Sequence, residues 1–117
     1  MRVQEYVRPN GSNPYKQWFD ALGGQAAAKV AAAIYRLGLG NTSSIKWFEG
    51  IGEYRIDWGP GLRIYLAKVG KDLILLLGGG TKKGQQSDIN MAKQLLIEYK
   101  QQKAKPTPKT NKGNKEK

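Results

Sequence analysis

The sequence predicts a single α+β domain in the order β-α-α-β-β-β-β-α, with a mostly antiparallel twisted sheet packed by helices. Three observations point there. A chain of 117 residues leaves room for one core and no second one. Apolar residues recur at helical spacing through residue 40, then switch to strand-like alternation from Ser44 onward. Glycine-rich turns separate the alternating runs.

Val3 to Val7 reads as a short strand, broken by Asn10-Gly11-Ser12-Asn13. Asn13 before Pro14 is a helix start, because Asn caps the free N–H groups and proline in the first turn lacks an N–H that would go unbonded anyway. Tyr15, Trp18, Phe19 and Leu22 supply the apolar face, and Gly23-Gly24 is expected to stop the helix. Gln25 to Leu37 is alanine-rich and predicts a second helix, with Ala27, Val30, Ile34 and Leu37 as its stripe and Lys29 and Arg36 off it.

Ile45 to Phe48 predicts a strand. Glu53 to Trp58 and Leu62 to Leu66 alternate around a Gly59-Pro60-Gly61 turn and form a hairpin. Leu73 to Leu77 is continuously apolar, as expected of an inner strand covered on both faces, and Gly78-Gly79-Gly80 ends it. Ser87 begins a last helix through Ile89, Ala92, Leu96 and Tyr99. Residues 101–117 hold six lysines, one glutamate and two prolines, and read as a disordered basic tail beyond a folded part of residues 1–100. A plain solvated extension is the simpler reading of that tail.

Composition narrows the function. Lys plus Arg number 20 against 9 Asp plus Glu, for a net charge of +11. Such a balance favours polyanionic partners, although a merely soluble basic protein has the same charge. Cysteine and histidine are absent, which removes disulfides, the usual zinc ligand sets and histidine-based nucleophile systems. Catalysis must come from Arg, Lys, Tyr, Asp or Glu, with no metal and no cofactor expected. No apolar run suits a membrane span and the N-terminus lacks a secretory pattern, so a cytoplasmic protein is expected.

With a three-residue hairpin loop, Asp57 faces Arg63 and Arg55 faces Tyr65, all on one sheet face. Lys82 and Lys83 follow the triple glycine, whose bare backbone lets a ligand approach. Arginines and lysines converging on an open sheet face suit a phosphodiester, and an exposed Tyr65 suits stacking on a base. The same pattern also fits an ordinary charged face laced with cross-strand ion pairs. Trp18 and Trp58 read as core, whereas Trp47 is undecided between core and stacking.

These residues also carry a family likeness. The motifs Glu53-x-Arg55-Ile56-Asp57, Gly59-Pro60-Gly61-x-Arg63-Ile64-Tyr65, a hydrophobic strand ending in glycines, and Thr81-Lys82-Lys83-x-x-Gln86-x-Asp88-Ile89 together resemble the RelE/ParE superfamily of bacterial toxins, in particular its HigB-like addiction module killer protein branch. The likeness spans residues 45–100. It implies a RelE-like small domain and the toxin of a type II toxin–antitoxin pair. It also implies a ribosome-dependent endoribonuclease that cuts messenger RNA, and a cognate antitoxin, typically of the helix-turn-helix kind. Carried over, the catalytic positions are Arg55, Asp57, Arg63, Lys82 and Asp88, and the substrate-binding positions are Tyr65, Lys83 and Gln86. Arg63 and Lys82 would meet the phosphoryl oxygens, Arg55 would position the strand, and Asp57 or Asp88 would act as base. A base near neutrality needs a raised pKa, whereas a carboxylate among arginines shifts down. A ParE-like inhibitor of DNA gyrase, which needs no nuclease site, and a simple nucleic-acid-binding module stay open as alternatives.

Overall fold

The computed structural model describes residues 1–104. The elements are β1 (Arg2–Glu5), α1 (Pro14–Asp20), α2 (Gly24–Gly38), β2 (Lys46–Phe48), β3 (Ile51–Ile56), β4 (Leu62–Val69), β5 (Leu73–Thr81), a 3-10 turn over Lys82–Gly84, and α3 (Gln85–Ala104). The five strands form one sheet in the order β1-β5-β4-β3-β2. β1 runs parallel to β5, and every other pairing is antiparallel. The mixed α+β class expected from the spacing switch is what the chain adopts. Among the described residues, no helix is long and apolar enough to cross a membrane.

The sheet is covered on both faces. Val30, Ala33 and Leu37 of α2 and Tyr15 of α1 pack on Tyr54, Ile56, Leu62, Ile64, Leu66, Ile74 and Leu76. On the opposite face, Ile89, Ala92, Leu95 and Leu96 of α3 pack on Ile51, Tyr65, Ala67, Leu75 and Leu77. Strand side chains alternate between faces, so each central strand feeds both layers. The unbroken run Leu73–Leu77 is buried throughout, as its composition predicts.

Several element limits differ from the sequence reading, for local reasons. β1 begins at Arg2 and stops at Glu5, where its pairing with β5 ends. The Asn13 side chain accepts the Lys16 N–H, as a cap should. α1 closes at Asp20, before the two glycines, and Gly23 caps the start of α2 instead. The buried stripe of α2 is Ala26, Val30, Ala33 and Leu37, while Ala27 and Ile34 lie at its margin. α3 continues to Ala104, past the expected boundary at residue 100. The rest of the basic tail, residues 105–117, lies outside the described residues.

Two irregularities place the site. The β3–β4 hairpin pairs Ile56 with Leu62 and Arg55 with Arg63. Its loop is therefore Asp57 to Gly61, two residues longer than expected, because Gly59 and Gly61 both take left-handed backbone (φ 57° and 83°) around Pro60. In β5, the register with β4 shifts between Tyr65 and Leu66, leaving Leu77 as the extra residue of a β-bulge. The bulge turns Gly79 toward α1 and Gly80 toward α3.

Candidate functional site

The organising group is Glu53, which heads a sequence motif but received no role there. Alternation on β3 puts it on the α3 face beside Arg55, and the observed register places it opposite Tyr65. It is 1% exposed. Its Oε2 lies 3.3 Å from Arg63 Nε, and its Oε1 lies 3.6 Å from Arg55 Nε. Gln85 Nε2 donates to Oε2 at 2.8 Å, and the Tyr65 hydroxyl donates to it at 3.4 Å. One buried carboxylate thus holds two arginines that are direct cross-strand partners.

The two arginines are not equivalent. Arg63 is itself buried, and among the described residues its Nε has no partner with hydrogen-bond geometry, only the Glu53 charge at 3.3 Å. The far edge of its guanidinium reaches the hairpin loop, where a Cβ on Gly61 would sit 3.5 Å from Nη1. Arg55 has a side chain 65% exposed. Arg55, Asp57, Gly61 and Arg63 line one surface cavity of about 400 Å³. The Glu53 clamp therefore holds Arg63 from behind, while its outer guanidinium edge lies by Gly61 at the wall of this cavity.

The predicted positions distribute unevenly around this clamp. Arg55 and Arg63 come together. Asp57 shares their cavity but not a ladder position, since the longer loop removes it from the strand; the expected Asp57–Arg63 pairing is replaced by Arg55–Arg63. Tyr65 corrects a second expectation. It is fully buried under α3, so it offers no face to a base. Burial and the nearby Glu53 and Asp88 charges push its hydroxyl well above the usual tyrosine range, so it stays a donor to Glu53.

Lys82 and Lys83 are exposed in the 3-10 turn after β5. Lys82 follows Thr81, the partner of Leu62, but neither lysine lines the cavity or makes an ion pair among the described residues. Gln86 points away and donates to Asn90 Oδ1 at 3.0 Å, whereas its neighbour Gln85 reaches Glu53. One helical residue turns the side chain by about 100°, which sequence inspection alone did not resolve.

Asp88 lies in the first turn of α3, half-buried over Gly80, the partner of Arg63. Burial pushes its carboxyl above the ordinary aspartate range. The triple glycine is thus occupied from within. A Cβ on Gly80 would overlap the Asp88 carboxylate, and one on Gly79 would overlap the Trp18 ring, while Gly78 faces open space. Trp18 and Trp58 pack against the core, and Trp47 is 44% exposed on the edge strand β2. Among the described residues, no three His, Cys, Asp or Glu side chains gather to hold a metal ion.

Glu53 could have been suspected from the sequence. Glu53 alternates with Arg55, and a glutamate between apolar neighbours on an inner strand needs a partner. Gln85 carried no such signal.

No family model matches the chain. Over 86 residues it is 43% identical to an uncharacterized protein of Haemophilus influenzae, an overlap covering 72% of this chain and 87% of that protein. The chain belongs to the same family as that protein.

Proposed function

We propose that this chain is the toxin of a type II toxin–antitoxin pair, with a RelE-like fold of the HigB-like branch, and that it arrests growth by cutting messenger RNA on the ribosome. The motif likeness over residues 45–100 supports the family, and the cationic cavity supports the chemistry. The single observation that carries the reading is Arg63, held by buried Glu53 with its outer edge at the wall of a cavity that Arg55 shares.

In strand cleavage the 2′-oxygen attacks the adjacent phosphorus as it loses its proton. The bond from phosphorus to the 5′-oxygen breaks, and that oxygen leaves as a hydroxyl after taking a proton from solvent. A 2′,3′-cyclic phosphate remains. Negative charge grows on the phosphoryl oxygens, and cations fixed beforehand stabilise it without reorganising. Arg63 and Arg55 are assigned to those oxygens. Asp88, whose carboxyl burial pushes up, is assigned as the base that takes the 2′-hydroxyl proton. Lys82 and Lys83 guide the strand toward the cavity as exposed charges. The basic fold suits an acidic antitoxin segment laid across the same cavity.

A second reading, inhibition of DNA gyrase without cleavage, is favoured by the burial of Tyr65, which removes a stacking surface that a nuclease would use.

Arg55→Gln tests the proposal, because Arg55 is exposed and its loss leaves the buried Arg63–Glu53 pair intact. Induced in cells, the wild-type chain is expected to stop growth and leave mapped transcript ends. Arg55→Gln is expected to lose about 10²- to 10³-fold in cleavage with an unchanged melting temperature. Uncut transcripts with DNA-damage signalling would support gyrase inhibition, and undiminished cleavage by Arg55→Gln would overturn the site.

A further inference from the structure

The cationic cavity does not end at Arg55. β2 stops pairing with β3 at Glu53, so Tyr54 to Ile56 form an open strand edge. Across that edge lies a second cavity of about 470 Å³, walled by Lys29, Ala32 and Arg36 of α2 and by Ser44. Arg55 and Asp57 line both cavities. Lys29 and Arg36 are seven residues apart, hence on one helix face and about 10.5 Å apart along the axis. α2 contains no acidic residue, and neither cation makes an ion pair among the described residues. Across both cavities, Lys29, Arg36, Arg55 and Arg63 face one carboxylate, Asp57.

Charge alone would suit an acidic peptide equally well. Tyr35 decides between them. It is 70% exposed, three residues after Ala32 and one before Arg36, turned about 100° around the helix from Arg36 on the solvent side. Phosphate-binding cations beside an exposed ring are what a single-stranded nucleic acid uses, since every base offers a flat face.

We propose that the solvent face of α2 is a second stretch of the RNA path. Lys29 and Arg36 take the phosphates flanking the scissile step, and Tyr35 stacks on a base of the same strand. The inference rests on RNA being the substrate, but it concerns binding rather than cleavage.

The test is anisotropy of the full chain with a fluorescent 12-nucleotide single strand of 2′-O-methyl RNA, which lacks the attacking hydroxyl and cannot be cut. Each lost phosphate contact lowers the slope of log affinity against log salt by about 0.7, so K29Q/R36Q is expected to reduce it by about 1.4. Y35A is expected to weaken binding at least about fivefold at every salt concentration with the slope unchanged. K68Q/K71Q removes the same charge at the far end of β4 and β5 and is expected to leave the slope within about 0.5 of wild type. Three results would overturn the path: equal slopes for wild type and K29Q/R36Q, an equal drop in K68Q/K71Q, or tighter binding of poly-glutamate than of RNA. Absence of wild-type binding would do the same. Unaltered binding by K29Q/R36Q with transcripts cut in cells removes the path alone. Weakened binding with transcripts uncut removes the cleavage reading alone.

Discussion

Replacing Glu53 by leucine probes the clamp directly. Arg63 is buried, and Glu53 is its one charge partner among the described residues. Glu53→Leu leaves that guanidinium desolvated and directly opposite a second cation, Arg55. Breaking a buried pair from one side costs about 3–5 kcal/mol, which in a domain of this size lowers the melting temperature by about 12 °C or more. Arg63→Met is milder, about 1–3 kcal/mol, because Glu53 keeps Gln85 at 2.8 Å, Tyr65 at 3.4 Å and Arg55 at 3.6 Å. The double variant Glu53→Leu/Arg63→Met buries neither charge, so it is expected to be more stable than Glu53→Leu alone. Urea unfolding of the four proteins, with m-values compared, measures the cycle. A Glu53→Leu cost under about 1 kcal/mol, or a double variant equal to the sum of the singles, would refute a clamp held by mutual burial.

Two further outcomes follow from neighbouring features. Gly79→Ala drives a methyl into the Trp18 ring and should cost about 1–3 kcal/mol, with altered tryptophan fluorescence, whereas Gly78→Ala meets open space and should be neutral or slightly stabilising by urea midpoint. Glu98 receives two hydrogen bonds from Arg8 and one from Tyr6, and the Arg8 bonds, then the Tyr6 bond, hold its carboxyl below the ordinary glutamate range. Tyr6 is itself pushed up to about 12 by burial and by Glu98, so it remains a donor across the acid range. A lowered carboxylate stabilises the fold above its unfolded pKa and loses that contribution as pH falls through its folded one. Unfolding midpoints at pH 7 and pH 3 should therefore differ more for wild type than for Glu98→Gln; equal differences would contradict the assignment.

Local chemistry determined most of the element plan from the sequence. Asn13-Pro14 favours a helix start by capping and by a preset φ, an alanine-rich segment is helical on intrinsic grounds, and the Leu73–Leu77 run has to be covered on both sides. Side-chain parity was legible as well. The two-residue lengthening of the hairpin loop left Arg55, Arg63 and Tyr65 on one face, since an even shift preserves alternation. What that face meets was not legible. A helix reads the same in sequence whichever side of a sheet it packs against. Only the tertiary arrangement put α3 over Tyr65, buried Glu53 between two arginines, and used Gly79 and Gly80 to seat Trp18 and Asp88. Periodicity states which side chains share a surface, whereas burial, and with it the strength of every charge there, depends on which distant segment closes over that surface.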